Sequence, residues 1–311
     1  MAEFERVAVI GAGGFLGTNL ARFLASRIRD VRCYGRRRAF PEALHGLGWV
    51  TGELADAHLA EAVAGCDIVI HLASTSTPAT ADRDIVADAE ANVMGSLRLM
   101  EHCVAGRVGR LVFLSSGGTI YGIPTAIPTP ESAPTDPITA YGAAKLAIEK
   151  YLEIFHRRHG LDYRILRVAN VYGPYQTAEK GQGVVAAFLA RALAGRPLKI
   201  WGDGHVVRDY VFVSDVIDAI WATLQYEGES RVFNIGGGVG YSLLQVIAAI
   251  DALFGRQIER CFLDSRPVDV PTSILDCSLA QSQLAWRSQT SFEDGLAMTL
   301  EWMRRQSVGD G

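Results

Sequence analysis

Val7-Ala8-Val9-Ile10 is a short apolar run that ends in glycines, and the spacing from Leu16 to Ile28 then predicts a helix. The same alternation repeats along the chain. Val31 to Tyr34, Trp49 to Thr51 and Asp67 to Leu72 read as strands, and Ile85 to Val104 reads as a helix. Leu111 to Leu114 is the next strand, followed by a helix from Tyr141 to His159 and a strand from Tyr163 to Arg167. Apolar strands alternating with helices predict a parallel sheet covered on both faces. After about Asn170 the texture changes. Pro174, Pro197, Gly202 and Gly204 interrupt shorter elements. Val206 to Val213 and Arg231 to Ile235 read as strands, and Ser242 to Phe254 and Phe292 to Arg305 as helices. The expected organisation is a first domain over 1–169 and a smaller α/β domain over 170–311, with a return to the first domain near 206–235.

Composition narrows the function classes. The net charge is −4 and basic residues gather only at Arg36-Arg37-Arg38, which argues against a nucleic-acid surface. The five cysteines, Cys33, Cys66, Cys103, Cys261 and Cys277, are scattered without CxxC spacing. A reduced, cytoplasmic protein without structural zinc is expected. Glu3 and Glu5 precede the first strand, so no signal peptide is expected. No apolar run reaches the roughly 18 residues that a membrane helix needs. Asp56, Asp67, His71, Asp203 and His205 lack the spacing of a metal site, and no catalytic metal is expected.

The glycine cluster Gly11-Ala12-Gly13-Gly14-Phe15-Leu16-Gly17 follows a strand and opens a helix. Glycine permits the tight turn and a close backbone approach to a pyrophosphate, and the helix start offers N–H donors. Nucleotide binding is the expectation. An acid ending the second strand would take a ribose 2′-hydroxyl, but that segment reads Cys33-Tyr34-Gly35-Arg36. Arginine suits a 2′-phosphate, and a solvated basic loop explains the same residues. NAD and NADP both stay open. Tyr141 and Lys145 stand four apart on one helix face. An unperturbed tyrosine titrates near about 10, too high for a base at neutral pH. A nearby ammonium and a nicotinamide cation would lower that value.

With these stand Val69 to Ser74 (VIHLAS), Asn92 to Met100 (NVMGSLRLM), Ser115 to Gly122 (SSGGTIYG), Arg167 to Pro174 (RVANVYGP), Gly202 to Val216 (GDGHVVRDYVFVSDV) and Ser265 to Pro271 (SRPVDVP). On these motifs the chain resembles the extended short-chain dehydrogenase/reductases of the nucleotide-sugar epimerase/dehydratase family, over nearly its whole length. The resemblance implies a Rossmann-type doubly wound α/β sheet with a smaller substrate-binding domain. It implies a tightly held NAD or NADP, a nucleotide-sugar substrate and a homodimer. Gly11, Gly14, Phe15, Leu16 and Gly17 would hold the cofactor at the turn; Arg36, Glu53 and Leu54 would flank it. Leu72, Ala73, Ser74 and Asn92 would shape its site beside Tyr141 and Lys145. Asn170, Arg208 and Arg266 match positions that hold the nucleotide diphosphate. Ser273 matches a size gate beside the sugar C2 substituent, where serine leaves space for an N-acetyl group.

The implied activity is 4-epimerisation of a nucleotide sugar, expected to be a UDP-sugar, through a transient 4-keto sugar. The rivals are a nucleotide-4-keto-sugar reductase and a non-catalytic cofactor-binding protein. In the family a Ser or Thr four residues before the tyrosine of YG works with the Tyr–Lys pair, and Gly117 stands there. A neighbouring hydroxyl could replace it, Thr119 or Ser116; Tyr141 could suffice with a water; or activity could be lost. Thr119 is favoured, because two residues along a continuing strand it would share the face of Gly117, with Ser116 on the other face. The glycines then read as room for substrate or cofactor. Sugar 4,6-dehydratases of the family carry Asp-Glu where Gly118 and Thr119 stand, so dehydration is not expected.

Overall fold

The computed structural model describes residues 4–78, 80–177, 183–264 and 270–309. The first half runs β1 (Arg6–Ile10), α1 (Phe15–Ala25), β2 (Asp30–Gly35), β3 (Gly48–Thr51), α2 (His58–Val63), β4 (Ile68–His71), α3 (Ile85–Asp88), α4 (Gly95–Ala105), β5 (Arg110–Ser116), α5 (Ala140–His159) and β6 (Asp162–Val168). The second half runs β7 (Asn170–Tyr172), α6 (Val184–Leu193), β8 (Leu198–Trp201), β9 (Val207–Phe212), α7 (Val213–Gln225), β10 (Val232–Ile235), β11 (Gly240–Ser242), α8 (Leu243–Phe254), β12 (Arg260–Leu263), β13 (Thr272–Ser273), α9 (Ser278–Leu284) and α10 (Phe292–Gly309).

Seven strands form one sheet in the order β10-β6-β5-β4-β1-β2-β3, and every neighbouring pair is parallel. Alternation along β1 sends Val7 and Val9 into one apolar layer with Leu20 and Leu24 of α1. Ala8 and Ile10 enter the opposite layer with Leu99 and Met100 of α4 and Ile148 and Leu152 of α5. This is the Rossmann-type doubly wound α/β fold. Strand order reverses around β1, which has β2 on one side and β4 on the other. A crevice therefore opens at the carboxyl ends of these strands, where ligands bind in such sheets.

The smaller part holds a sheet ordered β11-β9-β13, with β7 also paired to β9, and a two-stranded β8–β12 pair. After β9 the chain comes back to the large sheet through α7 and β10. The strand expected over 206–213 belongs instead to the small sheet, because its edges pair with β7, β11 and β13; hydropathy marks a strand but not its partners. The helix expected from Ile85 to Val104 also differs. It runs as α3, then a π-helical turn over Ala89–Met94, then α4. Such widened turns recur at functional sites.

Two polar clusters brace the frame. At the amino end of β6, Asp162 takes Arg110 Nε at 2.7 Å, Arg164 Nη1 at 2.7 Å and Arg231 Nη1 at 2.6 Å. Burial opposes charge on this carboxyl, but the hydrogen bonds and charges of the three guanidinium groups win and hold it down at about 2. At the other end, Arg167 of β6 meets the buried Glu149 of α5 at 2.7 Å and donates to the Tyr121 hydroxyl at 2.9 Å. That buried pair fixes α5 against the sheet beside the crevice.

Candidate active site

The turn after β1 approaches its neighbours closely. Gly11 has φ +94°, and a Cβ there would stand 2.7 Å from the Ala73 nitrogen. Only glycine fits both the dihedral and the contact. The N-cap of α1 is Gly14; no side chain caps it and the first turn carries no acid. The first N–H groups of a helix have no partner within it, so this end offers donors and a positive dipole end to an anion.

A groove of about 650 Å³ runs from this turn along the carboxyl ends of β1, β2, β4, β5 and β6. Gly11, Gly14, Phe15, Leu16 and Gly17 line it at the turn. Arg36, Glu53 and Leu54 line its flank, and Leu72, Ala73 and Ser74 its floor. Arg36 and Glu53 are exposed, with Nη1 and Oε1 3.9 Å apart. Asn92 stands behind the wall in a small recess with Ser74, Tyr141 and Lys145. Its Oδ1 accepts the Thr75 backbone N–H at 2.9 Å. The groove fits the dinucleotide implied by the resemblance: an uncapped helix start lies at one end, and the Ser115 hydroxyl, buried without a protein partner, lies on its wall.

Tyr141 sits in the first turn of α5. The Thr139 side chain accepts the Gly142 N–H at 3.2 Å, and Asp82 accepts the Ala140 N–H at 2.8 Å. These caps fix where the turn starts, and so where Tyr141 projects. Lys145 follows on the same face. Its Nζ donates to the Leu114 carbonyl at 2.9 Å and lies 5.7 Å from the centre of the Tyr141 ring. Burial lowers Lys145 to about 8, against the opposing pull of Glu149 and Asp88. The protein alone does not lower Tyr141. Burial pushes the phenol up to about 12, and the Asp88 charge adds to it. The ammonium is committed to a carbonyl and stands over the ring, where it does not offset the lost solvation.

The hydroxyls depart from expectation. Ser115 and Ser116 both line the groove, and Thr119 does not. The strand stops at Ser116, and the N–H groups of Thr119 and Ile120 both return to the Ser116 carbonyl at 3.2 Å. The chain turns here, so strand alternation does not carry Thr119 onto the face of Gly117. The Thr119 hydroxyl is buried without a partner. Gly117 does not make room for a ligand either. A Cβ there would lie 2.5 Å from Leu275 Cδ1 and 3.1 Å from the Arg167 carbonyl. It is glycine because Leu275 packs against it.

Asn170, Arg208 and Ser273 share the small sheet. Asn170 pairs with Tyr210, and Arg208 with Ser273. The Arg208 Nη1 donates to the carbonyls of Val207 at 2.9 Å and Val270 at 2.6 Å. Its sequence neighbour Asp209 instead accepts from Gly237, Gly238 and Leu275 N–H groups. Ser273 is buried and lies off the groove. Arg266 lies outside the described residues.

Sequence reasoning missed Ser115, Asp88 and an aromatic edge to the groove. Phe40 and Tyr175 line it with ring centres 4.9 Å apart, and Trp302 of α10 stands 5.2 Å from Tyr175. The serine doublet ending β5 was a signal for Ser115. Nothing local announces three rings drawn from three distant segments.

Known proteins share both fold and sequence. The chain is 37% identical to the UDP-glucose 4-epimerase of Mycolicibacterium smegmatis over 311 residues, covering 97% of this chain and 99% of that one. The structure of Thermotoga maritima UDP-glucose 4-epimerase with UDP-glucose superposes with a TM-score of 0.93 at 36% identity, covering 97% of this chain and 99% of that one. That of Thermus thermophilus UDP-glucose 4-epimerase with NAD superposes with a TM-score of 0.89 at 32% identity, covering 96% and 99%. The model of the NAD dependent epimerase/dehydratase family matches residues 7–236. Since that match runs from β1 through β10, the whole of the large sheet, this chain belongs to the NAD dependent epimerase/dehydratase family.

Proposed function

We infer that the chain interconverts C4 epimers of a UDP-sugar, with NAD or NADP, through a transient 4-keto sugar. The observation that carries this is the meeting of Tyr141, Lys145, Ser115 and Ser116 on the wall of the same groove that begins at the glycine turn. Tyr141 takes the proton of the sugar 4-hydroxyl and later returns it. Ser116 orients that hydroxyl by a hydrogen bond. The bound nicotinamide would supply the hydride acceptor for C4 and a positive charge near the phenol. Lys145 adds a second positive charge, so the phenolate that the bare protein disfavours becomes accessible. Arg208, Asn170 and Arg266 hold the nucleotide diphosphate, and the 4-keto sugar turns about that link before reduction on its other face.

We further propose that the protein acts in the cytosol as a homodimer. Ile85, Val86, Met94, Tyr151 and Ile154 are large apolar side chains that α3, the π turn and α5 leave exposed, which favours a helical seam with a second copy.

The test is incubation with UDP-glucose, the ligand of the Thermotoga relative, followed by chromatography of the nucleotide sugars. UDP-galactose should form without net consumption of reduced cofactor. Tyr141→Phe should abolish turnover and leave cofactor binding nearly intact. Stoichiometric oxidation of NADPH by a 4-keto sugar, with no interconversion of UDP-glucose, would assign a reductase instead.

A further inference from the structure

Asp88 ends α3 and is only 5% exposed. Its Oδ1 accepts a hydrogen bond from Asn92 Nδ2 at 2.9 Å, four residues on and inside the π turn. The Asn92 amide is used at both ends. Its oxygen accepts from the Thr75 N–H at 2.9 Å and the Thr75 hydroxyl at 3.3 Å, and its nitrogen also donates to the Ser76 hydroxyl at 3.2 Å. A carboxylate can only accept. Reversing the amide would set oxygen against carboxylate and NH₂ against an N–H. One buried charge therefore selects the orientation of the side chain that ties Thr75 and Ser76, both on the groove wall, to the helix.

Asn92, which Asp88 orients, shares a small recess with Tyr141 and Lys145 of α5, and the Asp88 charge acts on both of them. Glu149, His71 and Asp82 also bear on the pair, and Glu149 pulls on Lys145 together with Asp88. Glu149, one turn beyond Lys145, is held by Arg167 through Nε at 3.2 Å and Nη2 at 2.7 Å. His71 on β4 is buried and kept neutral, lowered to about 3 by burial and by Lys145. Asp82 accepts the Ala140 N–H at the start of α5. The hydrogen bond that Asp88 receives comes from a neutral amide, so its negative charge is not offset there.

We propose that Asp88 is a positioning residue for the Tyr141–Lys145 pair, orienting Asn92 in the recess that Asn92 shares with both side chains and adding a negative charge beside them. This rests on the reading of Tyr141 and Lys145 as the catalytic pair. The charge on Asp88 has opposite consequences for the two partners. It favours protonated lysine, which the site needs, and it also favours protonated tyrosine, which the site must overcome. Removing it moves both titrations to lower pH. A residue that merely supported packing would lower stability and leave both titrations in place.

The chain has four lysines, Lys145, Lys150, Lys180 and Lys199, so side-chain NMR of isotopically labelled lysine resolves each one. One lysine should titrate near 8 and vanish in Lys145→Met. In Asp88→Asn its midpoint should fall by roughly half a unit or more, and Asp88→Glu should recover most of the shift. The pH profile of kcat should move the same way, with a much smaller change in KM. If Asp88→Asn does not fold, Asp88→Ser is read identically. An unchanged Lys145 midpoint in the uncharged variant overturns the proposal, as does a kcat profile that does not move. The NMR arm needs no sugar. Absence of epimerisation in the wild type would therefore sink the functional reading and leave the Asp88 result standing, whereas an unmoved lysine in an active enzyme sinks Asp88 alone.

Discussion

Among the hydroxyls that end β5, the backbone turn separates those that reach the groove from those that do not. Ser116→Ala should cut turnover roughly ten- to a hundredfold, because a hydrogen bond to a charged partner is worth about 1.5–3 kcal/mol and about 1.36 kcal/mol is tenfold in rate. Thr119→Val should leave turnover within about twofold and hold or raise the melting temperature, since the hydroxyl it removes is buried without a partner. Gly117→Ser should not restore a missing catalytic serine. Its Cβ would press on Leu275 and the Arg167 carbonyl, costing about 1–3 kcal/mol as overpacking does. Turnover at saturating sugar and thermal melting of the three variants check this together. A crippled Thr119→Val beside an unaffected Ser116→Ala would reverse the assignment. The order of hydroxyls along the chain was legible in the sequence. Their facing was not, because alternation predicts a side only while a strand continues.

Asp162 and its three arginines tie β5, β6 and the approach to β10 together at the end of the sheet away from the groove. Its carboxyl titrates at about 2 in the folded chain, below the ordinary carboxylate value near about 3.9. The stabilisation is therefore full above about pH 4 and is lost as pH falls through about 2. Asp162→Asn should lower stability at neutral pH by roughly 1–3 kcal/mol, for it removes the charge that three partly buried guanidinium groups share. The gap between variant and wild type should close as pH is lowered. Urea denaturation midpoints across that range measure it, and a gap that stays constant with pH would exclude the linkage. The strands and helices joined by this cluster were visible as apolar runs. That Arg110, Arg164 and Arg231 converge on one acid was not, since they come from three separate segments and their contacts span up to 69 residues.

For the whole molecule, the exposed apolar side chains of α3, the π turn and α5 make self-association testable. Light scattering should give twice the chain mass. Val86→Glu with Ile154→Glu should raise the dissociation constant roughly thirtyfold or more, equivalent to about 2 kcal/mol for a central interface side chain. Melting at high dilution should change little, because both positions are exposed in the single chain. A monomer in the wild type, or a dimer indifferent to both charges, would remove the helical seam from the proposal.

The sequence by itself determined the doubly wound sheet, the glycine turn at its switch point and the placement of Tyr141 and Lys145 one helical turn apart. These are local properties: period, glycine dihedrals and spacing on one element. Tertiary structure alone decided that β9 belongs to the small sheet, that Gly117 yields space to Leu275, that Ser115 and Ser116 reach the groove, and that Asn92, held by the buried Asp88, shares a recess with Tyr141 and Lys145. Each of these depends on which distant segment comes to lie alongside. Packing and electrostatic fields act through space, and a side chain's neighbours there are set by the fold of the whole chain.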